Sequence, residues 1–168
     1  MQQAATLAPN QASVQIKLGA ALLQSGDQAG GLAAFQRASA LAPREGEIQL
    51  QIGEVLRSLD NLDEALQAYQ RAVAIKPDLV AANAAIGKIQ LQQQDYIGAI
   101  ISYRRVIEKA PEDPAAHHGL GLALQGRGGR EQQAIKAFET AIELYEEAGD
   151  IEGKKQAEAA LEELKEKR

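Results

Sequence analysis

The chain has 168 residues, enough for one domain with a full hydrophobic core, and it contains neither Cys nor Trp. Disulfides, thiolate zinc sites and a Cys nucleophile are thereby excluded, and the dominance of Ala, Leu, Gln, Glu and Lys, all good helix formers, leaves too few β-branched and aromatic residues for an all-β fold. Residues Met1–Arg130 carry 12 acidic and 12 basic side chains and Glu131–Arg168 carry 11 and 6, so the net charge of −5 belongs to the C-terminal segment; with no basic stripe to neutralise phosphates, nucleic acid is not an expected partner.

Residues 1–11 (MQQAATLAPNQ) align with Phe35–Glu45 (FQRASALAPRE). They read as the tail of a preceding, truncated repeat, in a chain cut from a longer protein, or else as a natural half-repeat that caps the stack. They lack the basic start and apolar centre of a signal peptide, and no apolar run approaches the roughly 18–20 residues of a membrane span. A Cys-free chain suits a reducing cytosol without excluding other compartments; the cytoplasm is favoured, with the location and any upstream signal or anchor left open.

From residue 12 the sequence repeats itself. Pro9, Pro43, Pro77 and Pro111 lie 34 residues apart, and Gly19, Gly53, Gly87 and Gly121 keep the same period, each preceded by Leu or Ile. Phe35, Tyr69 and Tyr103 form an aromatic column that Phe138 continues one residue late. The units are 12–45, 46–79, 80–113 and 114–148, the last with one extra residue in its Gly126–Arg130 turn and with Glu146 where the closing Pro would stand.

Each unit reads as two amphipathic helices. In the second unit Ile48, Ile52, Val55, Leu56 and Leu59 keep helical spacing, then Leu62, Ala65, Leu66, Tyr69 and Val73 do. Asn61 with Glu64 predicts a capping box, and Asp113-Pro114 predicts an N-cap with Pro at the first helical position. Pro ends the second helix of each of the first three units because it clashes with a continuing turn. Residues 149–168 predict a final helix capped by Asp150 and running to about Lys167, its stripe of Ala157, Ala160, Leu161 and Leu164 closing the stack.

A 34-residue period with Leu-Gly early, Ala–aromatic–Ala late and Pro at the end resembles the tetratricopeptide repeat. The resemblance rests on Leu18-Gly19, Ile52-Gly53, Ile86-Gly87 and Leu120-Gly121, and on Gly31/Phe35/Ala38, Ala65/Tyr69/Ala72, Ala99/Tyr103/Val106 and Ala134/Phe138/Ala141. It covers residues 12–147, with Gln15, Gln49, Asn83 and His117 in the place of the family's early Trp. It implies an all-α fold, a right-handed α-α superhelix of stacked antiparallel helix pairs, and a protein–protein interaction scaffold rather than an enzyme.

The residues themselves offer little chemistry. His117 and His118 are adjacent and point about 100° apart on a helix, so they do not share a metal. The glycines from Gly119 to Gly129 fit neither GxGxxG nor GxxxxGK[ST], and no strand precedes them. No catalytic residue, cofactor or metal is expected. Paired acids such as Asp63-Glu64 and Glu146-Glu147 read as solvated helix faces.

What the resemblance does imply is a concave groove lined by the first helix of each repeat. Its partner-facing residues would be Ile16, Ala20 and Leu23, then Leu50, Glu54 and Arg57, then Ala84, Lys88 and Leu91, and finally His118, Leu122 and Gln125. They share the spacing of one helix face, and leucines there exceed what a solvated face would hold, either because the face binds a partner or because some of them pack against the neighbouring first helix. The expected partner is an apolar extended or helical protein segment with a few charges, bound within an assembly or biogenesis complex. The family's carboxylate clamp would fall on Ile16, Ala20, Gln51, Ala81 and Ala85, or one repeat later on Leu50, Glu54, Ala85, Ala115 and Gly119. Neither set supplies cations, so a chaperone tail is not an expected ligand. The alternative is a self-associating structural module that stacks through its terminal half-repeat.

Overall fold

The computed structural model describes residues 12–166. The readings of residues 1–11 as a truncated repeat tail and of Lys167 as the last helical residue lie outside them. The described residues form nine helices and no strand: α1 (Ala12–Gln24), α2 (Gln28–Leu41), α3 (Gly46–Ser58), α4 (Leu62–Ile75), α5 (Val80–Gln92), α6 (Tyr96–Lys109), α7 (Pro114–Arg127), α8 (Glu131–Glu147) and α9 (Ile151–Glu166). Within a helix pair, a link this short makes the two helices antiparallel. The fold is the all-α helix-pair class expected, and it divides into two compact units, Met1–Ala82 and Asn83–Arg168. In the first, α1 packs on α2, α3 packs on α4, and α3 also touches α1 and α2. In the second, α7 lies between α6 and α8, and α9 packs on α8 and reaches α7.

Helix starts follow from local chemistry. Asp27 and Asp95 accept the backbone N–H of Gly30 and Gly98 at 2.9 and 3.0 Å, and Asp150 accepts that of Gly153 at 2.9 Å. Asp113 accepts from Ala115 and Ala116 at 2.9 and 3.2 Å, just ahead of Pro114. Asn61 corrects the sequence reading: it occupies the cap position of α4 but makes no side-chain cap hydrogen bond. In the three Asp-x-x-Gly caps the carboxylate fills space that a Cβ on the glycine would take.

Helix ends obey the prolines. α2, α4 and α6 stop at Leu41, Ile75 and Lys109, two residues before Pro43, Pro77 and Pro111. Without such a Pro, α8 runs for 17 residues where α2, α4 and α6 have 14. The tight turn inside the first three helix pairs needs a left-handed residue. Gly26 supplies it with φ 89°, whereas Asp60 and Gln94 adopt φ 60° with side chains attached.

The glycine and aromatic columns meet in the interior. A Cβ added to Gly19 would stand 2.6 Å from the Phe35 ring, one on Gly53 2.6 Å from Tyr69, and one on Gly121 2.6 Å from Phe138; Gly87 leaves more room, at 3.1 Å from Tyr103. Each glycine thus lets an aromatic of the paired helix lie flat on the backbone, and Tyr69 and Phe138 are fully buried as a result. The last helix docks by the same device. Gly153 sits under the ring of Tyr145, and Ala157, Leu161 and Leu164 are buried.

Candidate functional site

Within the first unit the expected groove residues divide by environment. Ile16 is 6% exposed and belongs to the core. Its column reads as a surface in the sequence, but α1 is apolar on more than one face, and period alone does not choose between them. Ala20, Leu23 and Leu50 are half-buried, and Leu23 leans against α2 at Gly31, where an added Cβ would stand 2.6 Å from its Cγ. Glu54 and Arg57 are brought together. The Arg57 guanidinium holds one Glu54 oxygen at 2.8 Å, and the Tyr69 hydroxyl donates to the other at 2.8 Å. Burial first, then the Glu54 carboxylate, pushes the Tyr69 phenol well above its usual range. This charged pair is committed to α4 as well as exposed to solvent.

Within the second unit Ala84 is half-buried and Lys88 exposed, while Leu91, Leu122 and Gln125 come together. They line a cleft of about 680 Å³ with Gln92 and Gly126, completed by Tyr96, Glu131, Glu163 and Leu164. Gly126 has the Tyr96 ring against its backbone, where any Cβ would overlap it. Leu122 is 37% exposed, a large aliphatic presented to solvent. The cleft therefore offers an apolar floor from three helices and carboxylates at its rim. His118 is half-buried between the rings of Phe138 and Tyr145, with centroids 5.9 and 6.2 Å away. Burial lowers its pKa. Sequence reasoning missed Tyr96 and Leu164: Tyr96 stands outside the groove column, and Leu164 read as part of a stacking stripe. The return of α9 to α7 brings Leu164 in.

A second type of groove lies between successive second helices. Between α2 and α4, over α3, a groove of about 310 Å³ is floored by Ile52, Leu56 and Ala68 and walled by Gln36, Ser39, Glu64, Gln67 and Arg71. Gln49 is buried at its base; its Nε2 donates to Ser39 Oγ at 2.7 Å, and Ser39 Oγ donates to the Phe35 carbonyl at 3.0 Å. Between α6 and α8, over α7, a groove of about 300 Å³ is floored by Leu120, Leu124 and Ala137. His117 stands where Gln49 does, its Nε2 donating to the Pro111 carbonyl at 2.8 Å.

Among the described residues no three His, Asp or Glu side chains gather as a metal site, and no helix is long and apolar enough to cross a membrane. The family model described as TPR repeat matches residues 53–94 and 87–128. No curated protein matches the sequence. Among solved structures, one of MamA superposes with a TM-score of 0.72 at 24% identity, over 89% of this chain and 86% of that one. A second, of MamA from residue 41 onward from Desulfovibrio magneticus RS-1, gives 0.67 at 20% identity over 92% and 93%. YrrB, described as a TPR protein with an unusual peptide-binding site, gives 0.67 at 15% identity over 97% and 91%. At these identities the likeness is one of fold.

Proposed function

We propose that this chain, a tetratricopeptide repeat protein by its repeats and by its fold, is an adaptor that binds an apolar segment of a partner protein in the cleft between α5, α7 and α9. Proteins of this kind serve in general as protein-binding scaffolds. The observation that carries the finer reading is the convergence of Leu91, Leu122 and Gln125 on one cleft of about 680 Å³, a volume within the range of ligand sites. Tyr96 and Leu164 add apolar wall, and Glu131 and Glu163 add negative charge at the rim. A partner segment that places an aliphatic or aromatic side chain in the cleft and a basic one near the rim satisfies both. That YrrB is described as having a peptide-binding site on the same fold supports peptide as the ligand class. The setting we propose for such an adaptor is an assembly or biogenesis complex.

The test is panning of a displayed peptide library against the full chain and against a Leu91→Glu/Leu122→Glu variant. Both residues line open space, so circular dichroism of the variant should keep the helical signal. Apolar peptides bound at micromolar affinity, about −8 kcal/mol, and lost by at least tenfold on the variant are expected. Equal binding of the enriched peptides to both chains would place the site elsewhere.

A further inference from the structure

The groove over α7 and the groove over α3 are the same site two repeats apart. Each residue lining the α7 groove has its counterpart 68 positions earlier, or 69 beyond the one-residue insertion, and every counterpart lines the α3 groove. The floor is kept: Leu120 for Ile52, Leu124 for Leu56, Ala137 for Ala68. The walls are not. Arg104 replaces Gln36 and Lys136 replaces Gln67, while Glu64 and Arg71 give way to Gln133 and Thr140. One acid and one base cancel in the α3 groove; the α7 groove has two cations and no acid in its lining. Neither Arg104 nor Lys136 forms an ion pair among the described residues. Ile107 in place of Ser39 makes the same wall more apolar.

We propose that this groove is a second binding site, and that it takes an acidic, aliphatic segment of a partner protein. An aliphatic side chain would lie on Leu120, Leu124 and Ile107, and a carboxylate would meet Arg104 and Lys136, whose guanidinium and ammonium are the donors such a group requires. The site is separate from the cleft. Leu120 and Leu124 stand two residues either side of Leu122, about 200° around α7, so the two surfaces lie on opposite sides of that helix. Their charges are also opposite, carboxylates at the rim of the cleft and cations along the groove. The unit can therefore hold two different segments at once. This inference stands independently of the ligand assigned to the cleft.

The experiment is fluorescence anisotropy of the full chain with a labelled, acetylated and amidated peptide Glu-Leu-Ala-Glu-Ile, beside its counterpart Lys-Leu-Ala-Lys-Ile. Expected is at least tenfold tighter binding of the acidic peptide, weakening with added salt. Arg104→Glu/Lys136→Glu should reverse that preference, and Leu91→Glu/Leu122→Glu should leave it unchanged. Both cations are exposed, so folding is preserved; the milder Arg104→Gln/Lys136→Gln should abolish the preference without reversing it. No charge preference, a preference that survives both substitutions, loss of binding in the cleft variant, or a chain that binds anionic vesicles in place of the peptide would each overturn the proposal.

Discussion

The α3 groove and the α7 groove share a floor and differ in their walls, and the difference shows what a repeat conserves. Ile52, Leu56 and Ala68 correspond to Leu120, Leu124 and Ala137 because these side chains also build the interior, where each buried aliphatic contributes about 1.5–3 kcal/mol. Gln36, Glu64, Gln67 and Arg71 correspond to Arg104, Gln133, Lys136 and Thr140 because wall positions are held by solvent, and surface changes cost little. The repeat hands down a shape; the chemistry of each copy is set separately.

The largest effect that could break this comparison lies in the interior. If the glycine and aromatic columns are equivalent in both units, Gly53→Ala and Gly121→Ala should each destabilise by about 2–3 kcal/mol in urea titrations, since both place a Cβ 2.6 Å from a buried ring. Gly87→Ala, with 3.1 Å to Tyr103, should cost visibly less. Equal losses at all three would mean that the rings give way, and the columns would not be rigid.

A graft sharpens the comparison at the walls. Gln36→Arg, Glu64→Gln, Gln67→Lys and Arg71→Thr together should confer on the α3 groove a preference for the acidic peptide of about tenfold, read in an Arg104→Gln/Lys136→Gln background. If it confers none, the buried Gln49 and Ser39, which remain, matter more than the wall charges.

Between interior and wall lies the Glu54–Tyr69 contact. Glu54→Ala removes the acceptor of a buried phenol and should cost about 1 kcal/mol, whereas Glu54→Gln, which retains an acceptor, should be close to neutral. Equal losses for Gln and Ala would show that charge, rather than the hydrogen bond, holds the pair.

His118 distinguishes the second unit by pH. Its folded imidazole binds a proton less tightly than the unfolded one, so protonation favours the unfolded chain. Stability should be flat above about pH 7 and fall as pH drops through about 6.5, the unfolded value. His118→Gln should remove that part of the slope; an unchanged slope would assign it to other groups. Smallest of all, Asp60→Gly and Gln94→Gly should stabilise by about 0.5 kcal/mol in thermal scans, because Gly26 already fills the equivalent left-handed position.

Much of this molecule was legible in its sequence. Four prolines and four glycines at one period set helix ends and close approaches, and an aromatic 16 or 17 residues after each glycine set what fills them. Asp113 and Asp150 cap their helices through contacts two or three residues away, which a linear reading reaches. Asn61 did not follow: it holds the cap position without a side-chain cap hydrogen bond.

The binding surfaces were legible only as columns. Leu91, Leu122 and Gln125 share a helix face in the sequence, but so does Ile16, which is buried. Periodicity fixes which residues point the same way along one helix, because side-chain direction is a local property of the backbone. It does not fix what stands opposite. That α9 carries Leu164 and Glu163 back to α7, and that Arg104 and Lys136 meet across an apolar floor, was decided by the packing of helices distant in sequence, since a cavity is made by the surfaces that fail to touch.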